Sequence, residues 1–272
     1  MNEFNLNSIS PIDGRYSDKT EVLSQYFSEK ALIFYRIKVE VEYFISLCKL
    51  GIPQLKKFES KKFDDLRKIY QDFSNEDAIE IKKIEKVTNH DVKAVEYFIK
   101  QKFEVLGISD YKEFIHFGLT SQDINNSAIP LSIKDFINNI YIPKINKVIT
   151  AIENKSEELK DITIIARTHG QPASPTKLGK EFKVFSTRIN EQMKTLKKIP
   201  NSAKFAGAVG NFNAHKVAYP EIDWKEFGQN FIEKELGLNY SFPTTQIEHY
   251  DSFAALCDNC RRINNILLDM CV

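Results

Sequence analysis

What most constrains this chain is a spacing of three and four between apolar residues that keeps returning along it. In the last stretch Phe253, Leu256, Cys260, Ile263, Leu267 and Met270 alternate such steps, which puts them on one seam of an α-helix. A seam of this kind is buried only against other helices, so partner helices are expected. Ile37, Val41, Phe44 and Cys48 repeat the pattern, and Gly51 with Pro53 just beyond marks where that helix stops. Ile142, Ile145, Ile149 and Ile152 predict another, with Pro143 near its start, where a missing N–H is tolerated. Phe182, Phe185, Ile189, Met193 and Leu196 predict a third that ends before Pro200. Strand-like alternation is scarce, and there is no internal repeat or low-complexity linker.

The expectation is therefore an all-α chain. A small N-terminal helical domain over residues 1–110 precedes a long-helix bundle over 111–272, divided where Gly107-Ile108-Ser109-Asp110 interrupts the pattern. The last seam reaches Val272 without a Gly or Asn cap, so the bundle is expected to be incomplete at its C-terminal end.

Charge excludes some classes of partner. Lys and Arg number 38 against 37 Asp and Glu, so no global field draws in nucleic acid or a membrane surface, and any anionic ligand needs a local site. No apolar run approaches the ~20 residues that span a bilayer. Met1 to Pro11 have neither the basic start nor the apolar middle of a secretion signal, so a cytoplasmic location is expected. The four cysteines, Cys48, Cys257, Cys260 and Cys271, are too unevenly placed for a disulfide framework and are expected to be reduced. Cys257 and Cys260 read as small helix residues one turn apart, since no second ligand pair completes a zinc site.

Polar clusters punctuate the helices. Thr168-His169-Gly170-Gln171-Pro172 reads as a loop between two core helices, the second beginning near Pro175, and its histidine can exchange a proton near neutral pH. Thr120-Ser121-Gln122-Asp123 reads as a helix N-terminus capped by Thr or Ser, also a natural seat for a carboxylate. Asn89-His90-Asp91 opens another helix. Asp13-Gly14-Arg15-Tyr16 precedes the first, and Arg15 carries a fork of donors suited to phosphate. Gly207 to Asn211 reads as a turn needing positive φ, without the spacing of a dinucleotide loop.

These clusters carry a resemblance. Asp13 to Tyr16, Thr88-Asn89-His90-Asp91-Val92-Lys93-Ala94-Val95-Glu96-Tyr97-Phe98, Phe114 to Ser121, Arg167 to Ala173 and Gly207 to Asn211 resemble, in order and wording, landmarks of the adenylosuccinate lyases within the fumarase and aspartase superfamily. The Asn89 to Phe98 run is similar to that branch in particular.

The resemblance implies a carbon–nitrogen lyase of purine synthesis. Such an enzyme removes fumarate from adenylosuccinate to give AMP, and from the succinyl-carboxamide ribotide, with no metal or redox cofactor. It implies His169 as general acid, Arg15 and Tyr16 at the nucleotide phosphate, and Asn89, His90 and Asp91 as a substrate-binding segment. Thr120 and Ser121 would hold a succinyl carboxylate, and Gln246 would be a further substrate contact. His116 is a lesser candidate, and His249 is not assigned because His249-Tyr250-Asp251 departs from the family's wording. The family's Gly-Ser-Ser-x-Met-Pro-x-Lys-x-Asn loop, which carries the base, does not occur in these residues, so they are expected to be inactive alone. A homotetramer with active sites shared between subunits is also implied. The competing readings are argininosuccinate lyase or fumarase, and a non-catalytic helical scaffold.

Overall fold

A computed structural model describes residues 7–272, so the reading of Met1 to Pro11 falls partly outside the described residues. Helices dominate, as the apolar spacing requires. The first long helix, α1 (Glu29–Leu50), begins where Ser28 Oγ accepts the Ala31 N–H at 3.1 Å and ends at Gly51, φ +79°. Between Ile33 and Leu47 nearly every side chain is buried, polar ones included, so α1 is the axis of a core rather than a surface helix.

Around α1 stand α2 (Phe63–Gln71), α3 (Asn75–Thr88) and α4 (Asp91–Val105). A reciprocal pair of hydrogen bonds between Ser74 and Asp77 starts α3. Phe98, Ile99 and Phe103 of α4 are buried, and Phe103 meets Phe44 of α1 edge-to-face at 4.9 Å. Then α5 (Ser121–Phe136) follows.

Packing divides the chain into two compact units, and not at residues 110–111. The first unit takes the described residues up to Lys134 together with Asn201–His249, and the second takes Asp135–Pro200 and Tyr250–Val272. Gly107 does end a helix, at φ +66°, but residues 109–114 then make a 3-10 turn within the first unit. What Asn201–His249 adds there is a second aromatic layer: Trp224 and Phe231 are buried, and Tyr43 of α1 packs edge-to-face on Phe205 and Phe231 at 5.2 and 5.8 Å.

In the second unit a wide turn over Ile137–Tyr141 leads into α6 (Ile142–Glu158). It lies just before Pro143, whose ring and missing N–H do not fit a tight α-helical ladder. Strands β1 (Thr163–Thr168) and β2 (Gln171–Lys177) form an antiparallel hairpin, and α7 (Leu178–Leu196) and α8 (Asp251–Cys271) complete the unit. The hairpin corrects the expected loop, and helix starts at Leu178 rather than near Pro175. Ile149 and Ile152 of α6, Ile189 and Met193 of α7 and Ile263 of α8 are buried. The buried face of α8 is Leu256, Asn259, Ile263 and Ile266, while Phe253 is 44% exposed. The seam is thus rotated from the expected one. Asn259, invisible to an apolar count, lies on it because its amide donates to the Gln192 carbonyl at 3.2 Å.

Candidate active site

The cluster Asn89-His90-Asp91 is the junction between α3 and α4. Asn89 closes α3 at φ +51°, a conformation asparagine tolerates better than most residues. His90 caps α4: its Nδ1 accepts the Lys93 N–H at 3.1 Å, which leaves the proton of the neutral ring on Nε2. Asp91 Oδ1 accepts the Val92 N–H at 2.9 Å, and Oδ2 receives Arg36 Nη2 at 2.5 Å. Burial works against the charge on Asp91, but the guanidinium and the Val92 N–H outweigh it and hold the carboxyl below its ordinary range. The three residues line an open cleft of about 650 Å³ with Arg36, Lys82 and Lys86.

The same guanidinium reaches α5. Arg36 Nε donates to Asn125 Oδ1 at 2.9 Å, one turn beyond Thr120 and Ser121. At that helix start the Thr120 N–H is taken by the Asp123 side chain at 2.9 Å, while Thr120 and Ser121 are themselves half-buried. Asp123 is fully buried, and its Oδ1 lies 2.7 Å from Lys204 Nζ and accepts the Ala206 and Gly207 N–H groups at 2.9 and 3.2 Å. Burial pushes the Lys204 ammonium down from 10.5, and Asp123 offsets only part of that. Gly207 and Gly210 have φ of +77° and +82°, so the turn read from the sequence does need them. Gln246 is exposed, on a segment tied to α5 where the Glu248 N–H donates to Asn126 Oδ1 at 3.0 Å.

Two histidines flank this network. His116, at φ +60°, pairs through Nδ1 with Glu40 Oε1 at 2.5 Å, and Glu40 Oε2 has no partner among the described residues. Burial disfavours a charged His116, yet the Glu40 carboxylate prevails and raises its pKa above the ordinary value. His215 is buried against Phe117, Phe212 and Trp224. Its Nε2 lies 3.0 Å from the Tyr43 hydroxyl, which donates to the Phe117 carbonyl at 2.7 Å. Gly118, at φ +67°, has no room for a side chain, since a Cβ there would lie 2.7 Å from the imidazole.

The structure thus brings Asn89, His90 and Asp91 into one network with the helix that Ser121 begins and the segment that bears Gln246. Arg15 and Tyr16 are exposed, with the guanidinium 5.6 Å from the Tyr16 ring centroid, and no hydrogen bond or ion pair among the described residues joins them to that network. His169 belongs to the second unit. It is exposed at the tip of the hairpin, where His169 and Gly170 have φ of +49° and +74° between the paired Thr168 and Gln171. Two positive φ values in a two-residue loop are the pattern of a type I′ turn, and Gly170 makes it possible.

Arg36, Glu40 and Tyr43 are the residues that the sequence reading missed. They stand at i, i+4 and i+7 of α1, a polar stripe inside an apolar helix, and that spacing was the available signal.

The fold is that of the fumarate lyases and related cycloisomerases. The chain matches a fumarate lyase from Mesorhizobium sp. BNC1 with a TM-score of 0.73 at 20% identity, over 93% of this chain and 55% of that one. It matches β-carboxy-cis,cis-muconate cycloisomerase from Acinetobacter calcoaceticus sp. ADP1 with a TM-score of 0.70 at 18% identity, over 92% and 56%. In sequence, residues 14–272 match the lyase family, and the chain belongs to that family. Its curated relatives are more particular. The adenylosuccinate lyase of Dictyostelium discoideum is 52% identical over 98% of this chain and 59% of its own length. Those of Legionella pneumophila (strain Corby) and Escherichia coli (strain K12) are 46% and 42% identical, each over 97% of this chain and 58% of their own. The chain therefore spans somewhat under three fifths of these relatives.

Proposed function

We propose that the chain forms part of an adenylosuccinate lyase, which eliminates fumarate from adenylosuccinate to give AMP and from the succinyl-aminoimidazole-carboxamide ribotide. The observation that carries this reading is identity of 42–52% to enzymes of that name along nearly all of the chain. The Asn89–Asp91 cleft agrees with it, since it sets an imidazole donor among carboxylates (Glu29, Glu85, Asp91) and cations (Arg36, Lys82, Lys86) within one hollow.

In this reading a base takes a proton from the succinyl carbon, the carbon–carbon double bond of fumarate forms, and the carbon–nitrogen bond breaks toward nitrogen. His169 delivers a proton to that nitrogen as the bond breaks. Arg15 and Tyr16 hold the phosphate, Asn89, His90 and Asp91 form a substrate-binding segment, Gln246 is a further substrate contact, and Thr120 and Ser121 take a succinyl carboxylate at the start of α5. The base is the serine of the family's Gly-Ser-Ser-x-Met-Pro-x-Lys-x-Asn loop, which does not occur in these residues. No metal or cofactor takes part. The enzyme works in the cytoplasm as a homotetramer with shared active sites, and the half-exposed Phe253 and exposed Leu268 on α8 suit burial by another subunit.

The experiment is fumarate release, followed by absorbance, from adenylosuccinate, argininosuccinate and malate by the purified protein in its full natural length. Turnover confined to adenylosuccinate is expected. Turnover of argininosuccinate or malate instead, or of none of the three, refutes the reading.

A further inference from the structure

Arg36 lines the floor of the cleft, with most of its side chain buried. Its side chain is 6% exposed, against 43% for Asp91. A buried guanidinium is retained only where its donors are satisfied, and two of these go to different elements: Nη2 to Asp91 at the start of α4 and Nε to Asn125 on α5. A planar fork fixes direction as well as distance, so the Asp91 carboxylate and the fifth residue of α5 are held in register by one rigid group on α1. Asp91 in turn sits beside His90, whose ring is set by the Lys93 N–H. The cleft residues are therefore exposed side chains on a helix start whose position is decided from below.

We propose that Arg36 is a positioning residue for the substrate site, setting the Asn89–Asp91 segment against the Thr120–Ser121 start of α5 through its paired hydrogen bonds to Asp91 and Asn125. Lysine keeps the charge but has no planar fork, so it cannot hold both partners in the same geometry. Arg36 acts through Asp91, and its loss is felt as a displaced binding segment rather than as a missing reactive group. The inference rests on the lyase reading for what the segment binds, but not for the positioning itself.

Two measurements on the full-length protein keep the inference and that reading apart. The first is amide hydrogen exchange over residues 89–93 in Arg36→Lys, with no substrate present. Exchange there is expected to quicken about tenfold while α1 and the second unit are unchanged, since a lost hydrogen bond to a charged group is worth a factor of about ten or more. The second is a double-mutant cycle of Arg36→Lys and Asp91→Asn read in KM for adenylosuccinate. Each single change is expected to raise KM about tenfold or more with a smaller change in kcat, and the double variant to be little worse than either. Unaltered exchange at 89–93, or KM effects that multiply fully, overturns the inference, as does a loss of activity that only tracks a lower Tm. A wild-type protein that does not turn over adenylosuccinate sinks the lyase reading and leaves the exchange result to decide on Arg36.

Discussion

Mild acid, between pH 7 and pH 5, should weaken this fold at His215. Burial pushes its pKa down from 6.5 to about 4, a shift that Asp123 only partly opposes, and the geometry says why protonation is unwelcome. With Nε2–H directed to the Tyr43 oxygen, a second proton on Nδ1 has no acceptor among the described residues, inside a wall of aromatic rings. The unfolded chain takes up this proton near pH 6.5 and the folded one only near 4. Stability from His215 is therefore complete above pH 6.5, is lost as pH falls, and does not decline further below about 4. At about 1.4 kcal/mol per pH unit the whole loss is roughly 3 kcal/mol, of which about 2 kcal/mol is gone by pH 5. His116 works in the opposite direction, because its raised pKa adds stability as pH falls, so the wild-type curve alone does not isolate His215. The comparison that does is urea unfolding of wild type and His215→Gln at pH 7 and pH 5. Glutamine can still donate to Tyr43 but does not titrate. Wild type should lose about 2 kcal/mol more than the variant over this interval, and parallel losses would refute the reasoning.

Three further outcomes are expected. His169→Asn in the full-length protein should lower kcat by about 10²–10⁴ with a much smaller change in KM and an unchanged circular dichroism spectrum; near-normal turnover would return this exposed hairpin residue to a turn-forming role. Arg15→Ala should weaken AMP binding by calorimetry about tenfold or more, and equal loss of a ligand without phosphate would contradict the assignment. Asp123→Asn leaves the fully buried Lys204 without its ion partner and should cost about 3–5 kcal/mol in urea unfolding; a loss below about 1 kcal/mol would mean that Lys204 sheds its proton or finds other partners at little cost.

The helices and most of their ends could be read from the residues alone, because these depend on neighbours in the chain. The apolar period of α1, α6 and α7, the stop at Gly51 and the positive-φ turn at Gly207 and Gly210 were all legible this way. The sequence also offered the candidate clusters, since polar runs that interrupt helical periods stand out. The hairpin was less legible. Thr163–Lys177 carries two prolines, and most of its side chains are exposed, so no buried face imposed the alternation that marks a strand. The rotation of the α8 seam escaped for a related reason, as Asn259 is buried by a hydrogen bond and not by hydrophobicity. The polar framework behind the cleft, by contrast, is set by long-range packing. Arg36 finds Asp91 across 55 residues, Glu40 finds His116 across 76 and Tyr43 finds His215 across 172. A charged residue in an apolar helix announces that it needs a partner, because burial without one is too costly, but which partner it meets is settled by how the helices pack.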